Sequence, residues 1–357
     1  MNRAACADWP RILNPAPGEF PLAAERRTDE RVLFVSLQDA NEPMEPMRRA
    51  LERSCGVCRA VDWRDGDIAA VQGRMLATAH EFRPTVVFLR LQRGSSPITP
   101  QFVEQLRSHC APEAVIVHWN GDQYEMAGTP AAAWMVELGR VVDTTLLVNT
   151  QEQGVLAHAG VRHPGFLAAG YDPEVYRHRP QPEVRREVVC LANRHRTVAG
   201  YDRRRALLGQ FAAWSEQAVL YGRGWDPQAI RARAMVTRVH ESVIYSGAAA
   251  ALSISMHEDL QRYTSDRLWR MLGCGAVALV EQFPGWNACG LRDGINCVLW
   301  SGWEQLRHLL AWALSDEGLR QSPMLRQNAL ELAQHHTWEA RALELLAIVD
   351  AVRAERT

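Results

Sequence analysis

The sequence predicts an α/β protein with two doubly wound domains, each built on a parallel sheet covered by helices. Three observations predict this fold class. The chain has 357 residues, which is more than a single hydrophobic core usually spans. Short apolar runs alternate with helix-like stretches, as in successive βαβ units. A polar segment with several prolines, 170–186, interrupts the alternation, and the same pattern then begins again.

The first half of the chain predicts one Rossmann-like domain, residues 31–172, after an N-terminal arm at 1–30. Buried strands are expected at 32–37, 57–63, 85–91, 114–119 and 144–149. Helix-like stretches lie between them at 44–54, 68–80, 99–109 and 130–139. We take residues 173–186 as the linker to the second domain.

The second half predicts another Rossmann-like domain, residues 187–335, and a last helical segment, 336–357. Its strands are expected at 188–192, 218–221, 250–256, 276–280 and 297–300. Its helices are expected at 203–214, 225–236, 265–272, 302–314 and from Pro323 almost to the end. Ligands of such sheets bind beyond the carboxyl ends of the strands. We therefore expect a ligand cleft between the two domains.

Composition narrows the possible functions. Hydrophobic residues make up 47% of the chain and charged residues 23%, and the net charge is −1. These values are ordinary for a globular protein and do not favour nucleic-acid binding by the chain as a whole. We see neither a signal segment nor an apolar run of about 18 residues that could span a membrane, so we expect a cytoplasmic protein.

The basic residues are all arginines, since the sequence contains no lysine. This excludes a Schiff-base lysine and the lysine of a P-loop. A bound phosphate must instead be held by arginine, histidine, hydroxyl groups or backbone amides.

Two short patterns suggest metal or redox chemistry at first sight. Cys55 and Cys58 form a lone CxxC, but the motif follows a helix-like stretch and has no second pair for zinc. We interpret it as structural. Asp65 and Asp67 form a DxD triplet between a strand and a helix, where Asp67 is a natural N-cap. We expect neither a metal ion nor a cofactor.

The most informative segment is 263–280, with the sequence YTSDRLWRMLGCGAVALV. Thr264 and Ser265 are N-cap candidates, and Asp266 and Arg267 lie in the first turn of the helix. The N-terminus of a helix that follows a strand binds anions through free amides, and an arginine there adds a charge-assisted contact. The alternative is a capped helix whose Arg267 forms a salt bridge.

This segment resembles the S-x-R-x-F-E-x-x-A-C-G signature of group 1 glycosyltransferases, most closely the CgeB-like branch. The matching positions are Ser265, Arg267, Trp269, Cys274 and Gly275. Residues 336–341 (HTWEAR) are similar to the H-T-[YW]-x-x-R that opens the last helix of this family. Weaker similarities lie at 120–122, 170–173 and 221–225.

The resemblance implies a GT-B fold, with the donor in the C-terminal domain and the acceptor in the N-terminal domain. It also implies a last helix that crosses back onto the first domain. The expected donor is a nucleotide-diphosphate sugar, and among these a UDP-sugar is favoured.

One departure from the family pattern concerns the donor ribose. Family members carry two glutamates eight positions apart, and the second holds the ribose hydroxyls. Here Arg262 and Arg270 occupy those positions, and neither can accept a hydrogen bond. This leaves three alternatives. Another acceptor (Glu258, Asp266 or Glu281) binds the ribose hydroxyls, the donor binds in a different way, or the protein has lost its activity.

Arginines near the first strand of the second domain are candidates for the diphosphate. Arg194 follows that strand, and Arg203 and Arg204 open its helix. Arg223, after Gly222, follows the next strand. The alternative is a solvated arginine-rich face.

Candidates for the catalytic base lie in the first domain. His118 and Asp122 belong to the run His-Trp-Asn-Gly-Asp at the end of an expected strand. An inverting transfer needs a base for the acceptor hydroxyl, whereas a retaining one does not. The alternative is an Asn-Gly turn with Asp122 as its cap.

We therefore predict a metal-independent glycosyltransferase, transferring a hexosyl or pentosyl group to a protein, a glycan, a small metabolite or a modified DNA base. The alternatives are a sugar-nucleotide epimerase of the same shape and a degenerate protein that binds a sugar nucleotide or a partner without turnover.

Overall fold

The computed structural model describes residues 27–36, 44–91, 98–121, 129, 132–194, 201–226 and 230–356. Its contacts divide the chain into two compact units. Unit 1 contains Met1–Ala169 and Trp338–Thr357, and unit 2 contains Gly170–Thr337.

Unit 1 contains a six-stranded parallel sheet in the order β2-β1-β3-β4-β5-β6. Its strands are β1 (Arg27–Ser36), β2 (Cys55–Asp62), β3 (Val86–Arg90), β4 (Val115–Asn120), β5 (Thr144–Leu147) and β6 (Pro164–Phe166). Its first five helices are α1 (Glu45–Ser54), α2 (Ile68–Phe82), α3 (Pro100–Arg107), α4 (Ala133–Gly139) and α5 (Gln153–His158). Every residue of β3 and β4 is buried, because helices cover both faces of the sheet.

Unit 2 contains a second six-stranded parallel sheet, in the order β12-β11-β10-β7-β8-β9. Its strands are β7 (Arg185–Leu191), β8 (Ala218–Tyr221), β9 (Ala232–Arg233), β10 (Ala248–Ser253), β11 (Ala278–Glu281) and β12 (Val298–Trp300). Its helices are α6 (Tyr201–Trp214), α7 (Arg238–Gly247), α8 (Asp266–Gly273), α9 (Trp303–Leu314) and α10 (Asp316–Ala333). The predicted fold class, α/β with two doubly wound parallel sheets, is confirmed.

The last helix, α11 (Trp338–Ala354), packs within unit 1. Trp338 lies edge-on against Trp119 of β4, with ring centroids 5.9 Å apart. Arg353 pairs with Glu30 of β1 and donates a hydrogen bond of 3.0 Å to the carbonyl of Thr85. Unit 1 is therefore assembled from two separate stretches of the chain.

One helix prediction in the second half is wrong. The helix expected at 225–236 is not formed at 232–233, which instead pair with β8 as the short edge strand β9. Arg233 donates to the hydroxyl of Tyr221 at 2.9 Å, which favours this pairing. The helix of this region is α7, which begins at Arg238 and was not predicted.

The helix expected from Pro323 onwards begins at Asp316 and contains Pro323 in its interior. Proline has no N–H to donate to the carbonyl of Leu319. The hydroxyl of Ser322 donates to that carbonyl instead, at 3.0 Å, so the helix continues through the proline.

The two patterns interpreted as structural are found in structural positions. Asp67 is the N-cap of α2 and accepts a hydrogen bond from the amide of Ala70 at 2.8 Å. Cys55 and Cys58 are buried in β2, and burial raises the pKa of Cys58 to about 12, so its thiol is not a nucleophile at neutral pH. Across the described ranges, no helix is both long and apolar enough to cross a membrane.

Candidate functional site

The strand order of unit 2 places a topological switch point between β7 and β10. The chain leaves β7 towards β8 on one side and returns to β10 on the other. A crevice opens at such a point beyond the carboxyl ends of the two strands, and ligands of doubly wound sheets bind there. Here those ends are Leu191 of β7 and Ser253 of β10.

Arg204, in the first turns of α6, is the most unusual side chain near this point. It is 3% exposed, and its Nη1 lies 3.1 Å from the sulfur of Met256, just beyond β10. Its Nε and Nη2 are buried with no hydrogen-bond partner within the part of the chain that the structure describes. Burial, and then repulsion from Arg267, lower the pKa of Arg204 to about 10. A buried guanidinium left in this state destabilises the protein unless an anion pairs with it.

Arg267 brings a second positive charge to the same place. It is the second residue of α8, half-buried, and its Nη1 donates to the carbonyl of Ile254 at 3.3 Å. This bond directs the side chain towards the end of β10. The two arginines repel each other, and a bound diphosphate would relieve that repulsion.

Glu258 lies close to both arginines, in the segment after β10. It accepts a hydrogen bond from the backbone amide of Ser255. Burial raises the pKa of Glu258 to about 7, although that hydrogen bond and the nearby Arg203, Arg204 and Arg267 favour its charged form. Its carboxyl group therefore titrates near neutral pH.

Arg203, beside Arg204 in sequence, already has an anionic partner. It forms a two-pronged ion pair with Glu281 at the end of β11, with Nη1 3.2 Å from Oε2. The two predicted phosphate ligands of α6 therefore differ: Arg203 is bonded to a carboxylate, whereas the described contacts of Arg204 include no bonded carboxylate.

The N-terminus of α8 carries Arg267 in its first turn. Ser265 is the N-cap, and its hydroxyl makes no capping hydrogen bond. Thr264 is buried and accepts a hydrogen bond from the indole of Trp269 at 3.1 Å. Asp266 pairs with Arg270 one turn later. The first amides of a helix lack partners inside the helix, so Ser265 and the backbone after it are available to a ligand.

The loops after β7 and β8 are joined by backbone contacts. The backbone amide of Arg223 donates a hydrogen bond to Asn193 Oδ1, and the carbonyl of Arg223 accepts one from the amide of Arg194, both at 2.9 Å. Gly222 lies so close to β7 that a Cβ would overlap the carbonyl oxygen of Ala192. The Arg194 side chain donates to Tyr201 at 2.9 Å, whereas Arg223 is exposed to solvent. The lack of a Cβ at Gly222 thus allows these loops to approach each other closely.

The two arginines at the family's glutamate positions have structural partners. Arg262 takes a left-handed conformation, φ 63°, and its amide donates to the carbonyl of Pro284 at 2.7 Å. Arg270 pairs with Asp266, lies 3.9 Å from Glu241 and stacks over Tyr176 at 4.9 Å. These contacts hold the half-buried side chain of Arg270 against its neighbours in unit 2.

The three alternative ribose acceptors differ in whether an arginine already binds them. Asp266 is held by Arg270, and Glu281 is held by Arg203. Glu258 has only a backbone amide as its described hydrogen-bond donor.

Of the two predicted candidates for the catalytic base, the structure describes only His118. His118 is 0% exposed, with its ring 5.6 Å from that of Trp134. Burial lowers its pKa to about 3, and neither ring nitrogen has a partner among residues with described positions. In this structure the His118 side chain has no exposed surface, and its assignment as the base stays a prediction. Asp122 lies outside the described residues and stays a prediction.

Sequence reasoning missed several side chains that shape the site. Met256, which contacts Arg204, gives no chemical signal, and Glu241 lies on the unpredicted helix α7. Within the described part of the chain, no group of three or more His, Cys, Asp or Glu side chains is arranged to hold a metal ion.

Residues 190–347 match the family described as glycosyl transferase-like. The matched region begins in β7 and includes Arg203, Arg204 and Arg267. A comparison with curated proteins gives no match.

Solved structures share the fold over nearly the full chain. HepE from Anabaena, solved with UDP and glucose, is 11% identical and has a TM-score of 0.61, over 90% of this chain and 99% of that chain. Sucrose-phosphate synthase from Thermosynechococcus elongatus is 13% identical, with a TM-score of 0.59 over 91% of this chain and 100% of that chain. The N-terminal domain of trehalose-6-phosphate phosphatase from Candida albicans is 10% identical, with a TM-score of 0.64 over 95% of this chain and 100% of that chain. At these identities the likeness shows the fold, which is GT-B.

Proposed function

We propose that the protein is a glycosyltransferase that takes a sugar from a nucleotide-diphosphate donor bound in unit 2. The observation that carries this proposal is Arg204, a buried guanidinium with two unpartnered nitrogens at the switch point of the sheet. Its position predicts a ligand with concentrated negative charge, and a diphosphate has that charge.

The diphosphate would lie between Arg204, Arg267 and the N-terminus of α8. The guanidinium groups offer directed donors, and Ser265 adds a hydroxyl and the free amides of the first turn. These groups would stabilise the charge that develops on the departing nucleotide, which is electrostatic catalysis without a metal ion.

A UDP-sugar is the donor we propose. HepE, which has the same fold, has been solved with UDP and with UDP-glucose. The family match over 190–347 and the CgeB-like pattern of α8 favour the same donor class. We propose Glu258 as the acceptor for the ribose hydroxyls, because the other two candidate carboxylates are held by arginines.

For the acceptor, we propose a hydroxyl group that Asp122 deprotonates if the transfer inverts the anomeric centre. The test is the Asp122→Asn variant. Turnover at the wild-type rate would remove Asp122 from the mechanism, whereas a loss of about 100-fold or more would support it.

A degenerate protein that binds the donor without turnover is the second candidate. The observation that favours it is Arg270, which replaces a family glutamate and is embedded among Asp266, Glu241 and Tyr176. Ligand binding alone does not separate this candidate from an active enzyme.

One experiment separates the candidates. Wild-type protein and the Arg204→Met variant are titrated with UDP, ADP and GDP by calorimetry, and each is then incubated with UDP-glucose. Binding with slow release of UDP and glucose supports a transferase, and binding without release supports the degenerate protein. Conversion to another UDP-sugar supports the epimerase. If no nucleoside diphosphate binds the wild type, the proposal is wrong.

A further inference from the structure

His336 occupies an unusual position in unit 2, at the end of a short 3-10 helix, Gln334–His336. It is 2% exposed, and its ring lies flat on the indole of Trp269, with centroids 3.4 Å apart and planes inclined by 5°. Its Nε2 lies 3.2 Å from the carbonyl oxygen of Cys289. Because that oxygen can only accept, Nε2 carries the proton and donates it. The ring plane is thereby fixed.

Trp269 connects the ring of His336 to the N-terminus of α8. It is 0% exposed, and its indole Nε1 donates to Thr264 Oγ1 at 3.1 Å. Thr264 is buried and directly precedes the N-cap Ser265. A continuous series of buried contacts therefore joins the imidazole of His336 to the residue before the N-cap.

The other end of α8 is held by a residue bonded to the same histidine. A Cβ at Gly273, the last residue of α8, would overlap the ring of Tyr171. The amide of Tyr171 donates to the carbonyl of His336 at 3.1 Å, and Tyr171 forms a bridge with Thr337. The chain enters unit 2 at Gly170 and leaves it at Thr337, so both of these segments are attached to α8.

We propose that His336 is a positioning residue for the anion site at the N-terminus of α8. Through Trp269 and Thr264 it fixes the orientation of Ser265 and of the amides that follow. The role of that site as a donor-phosphate site rests on the proposed function, whereas the mechanical link from His336 to α8 does not.

The first test uses UDP as the probe and breaks the hydrogen bond between Trp269 and Thr264 from each side. Trp269→Phe keeps an aromatic ring but removes the donor, and Thr264→Val keeps the shape but removes the acceptor. One neutral hydrogen bond corresponds to a roughly fivefold change in affinity, so each variant should bind UDP about fivefold more weakly. The double variant should lose no more than either single variant, because both changes remove the same bond. The control is His308→Ala, at an exposed histidine of α9.

The second test measures amide hydrogen exchange without any ligand. His336→Ala should speed up exchange of the amides of residues 264–270, and His336→Phe, which retains a flat ring, should restore part of the protection. His308→Ala should leave this segment unchanged. If His336→Ala unfolds unit 2 as a whole, the same measurement on Trp269→Phe and Thr264→Val decides.

The outcomes of the two tests are separable. Unchanged exchange at 264–270 in the His336, Trp269 and Thr264 variants overturns the positioning role. A wild type that binds no UDP overturns the proposed function, and the exchange measurement then still decides whether His336 positions α8. Weaker UDP binding in the single variants with additive losses in the double variant contradicts the shared bond.

Discussion

The Arg204→Met substitution tests the proposed site most directly, because it should change stability and affinity in opposite directions. Burial lowers the pKa of Arg204 from its usual 12.5 to about 10. A shift of that size corresponds to about 3 kcal/mol by which the charged side chain destabilises the folded protein at neutral pH. Methionine fills a similar volume without a charge. Without ligand, Arg204→Met should therefore raise the melting temperature of unit 2 by roughly 5 to 10 °C.

The same variant should bind UDP more weakly. A hydrogen bond to a charged group contributes about 1.5–3 kcal/mol, so loss of even one such contact to a phosphate should weaken binding at least about tenfold. Calorimetric titration with UDP measures the affinity, and thermal unfolding with and without UDP measures the stability. The matched control is Arg205→Met, the exposed neighbour on α6, which should change neither quantity appreciably.

Two results would refute this reasoning. If Arg204→Met binds UDP as tightly as the wild type, the unpartnered nitrogens do not face the ligand. If the variant is less stable than the wild type without ligand, Arg204 is not an uncompensated charge but part of the packing of α6. Either result would remove the observation on which the proposed function rests.

Three further predictions concern the stability of the two units. Arg270→Glu should lower the free energy of unfolding by about 3–5 kcal/mol in urea titrations, because it places a third carboxylate beside two others; unchanged stability would show that the ion pairs are unimportant. Gly222→Ala should destabilise the protein by about 1–3 kcal/mol and weaken UDP binding, since the added Cβ overlaps the carbonyl of Ala192. Gly73→Ala, in open space on α2, should instead stabilise the protein by about 0.5–1 kcal/mol. His118 has a pKa of about 3 when folded and near 6.5 when unfolded, so its contribution to stability is complete above pH 6.5 and is lost as the pH falls towards 3, by about 1.4 kcal/mol per pH unit. His118→Leu should remove this dependence in unfolding titrations between pH 6.5 and 4, and an unchanged slope would contradict the assignment.

The fold was predictable because the buried strands of a parallel sheet leave continuous apolar runs in the sequence. β8 has the predicted bounds, and the other strands of both sheets that were predicted differ by a few residues. The short elements were not predictable. β6 has three residues and β9 has two, which is too few for any periodicity, and pairing with a neighbouring strand determines them.

The site was predictable in location but not in detail. The arginine pair Arg203 and Arg204 was correctly placed after the first strand of unit 2, but sequence alone treats the two as equivalent. The helical period directs one outwards to Glu281 and buries the other against Met256. The contact of Arg270 with Glu241 was also not predictable, because Glu241 is 29 positions away and lies on a helix without a clear start signal.

The division of the chain has a consequence for how the protein is made. Residues of unit 2 are contiguous, so that unit can complete its core while the ribosome is still adding the last segment. Unit 1 cannot, since Trp338 and Arg353 supply contacts to β4 and β1 that were synthesised long before. Until α11 emerges, the parts of the first sheet that contact Trp338 and Arg353 lack these partners. A stop codon shortly before Trp338 should therefore harm the early half of the protein more than the late half.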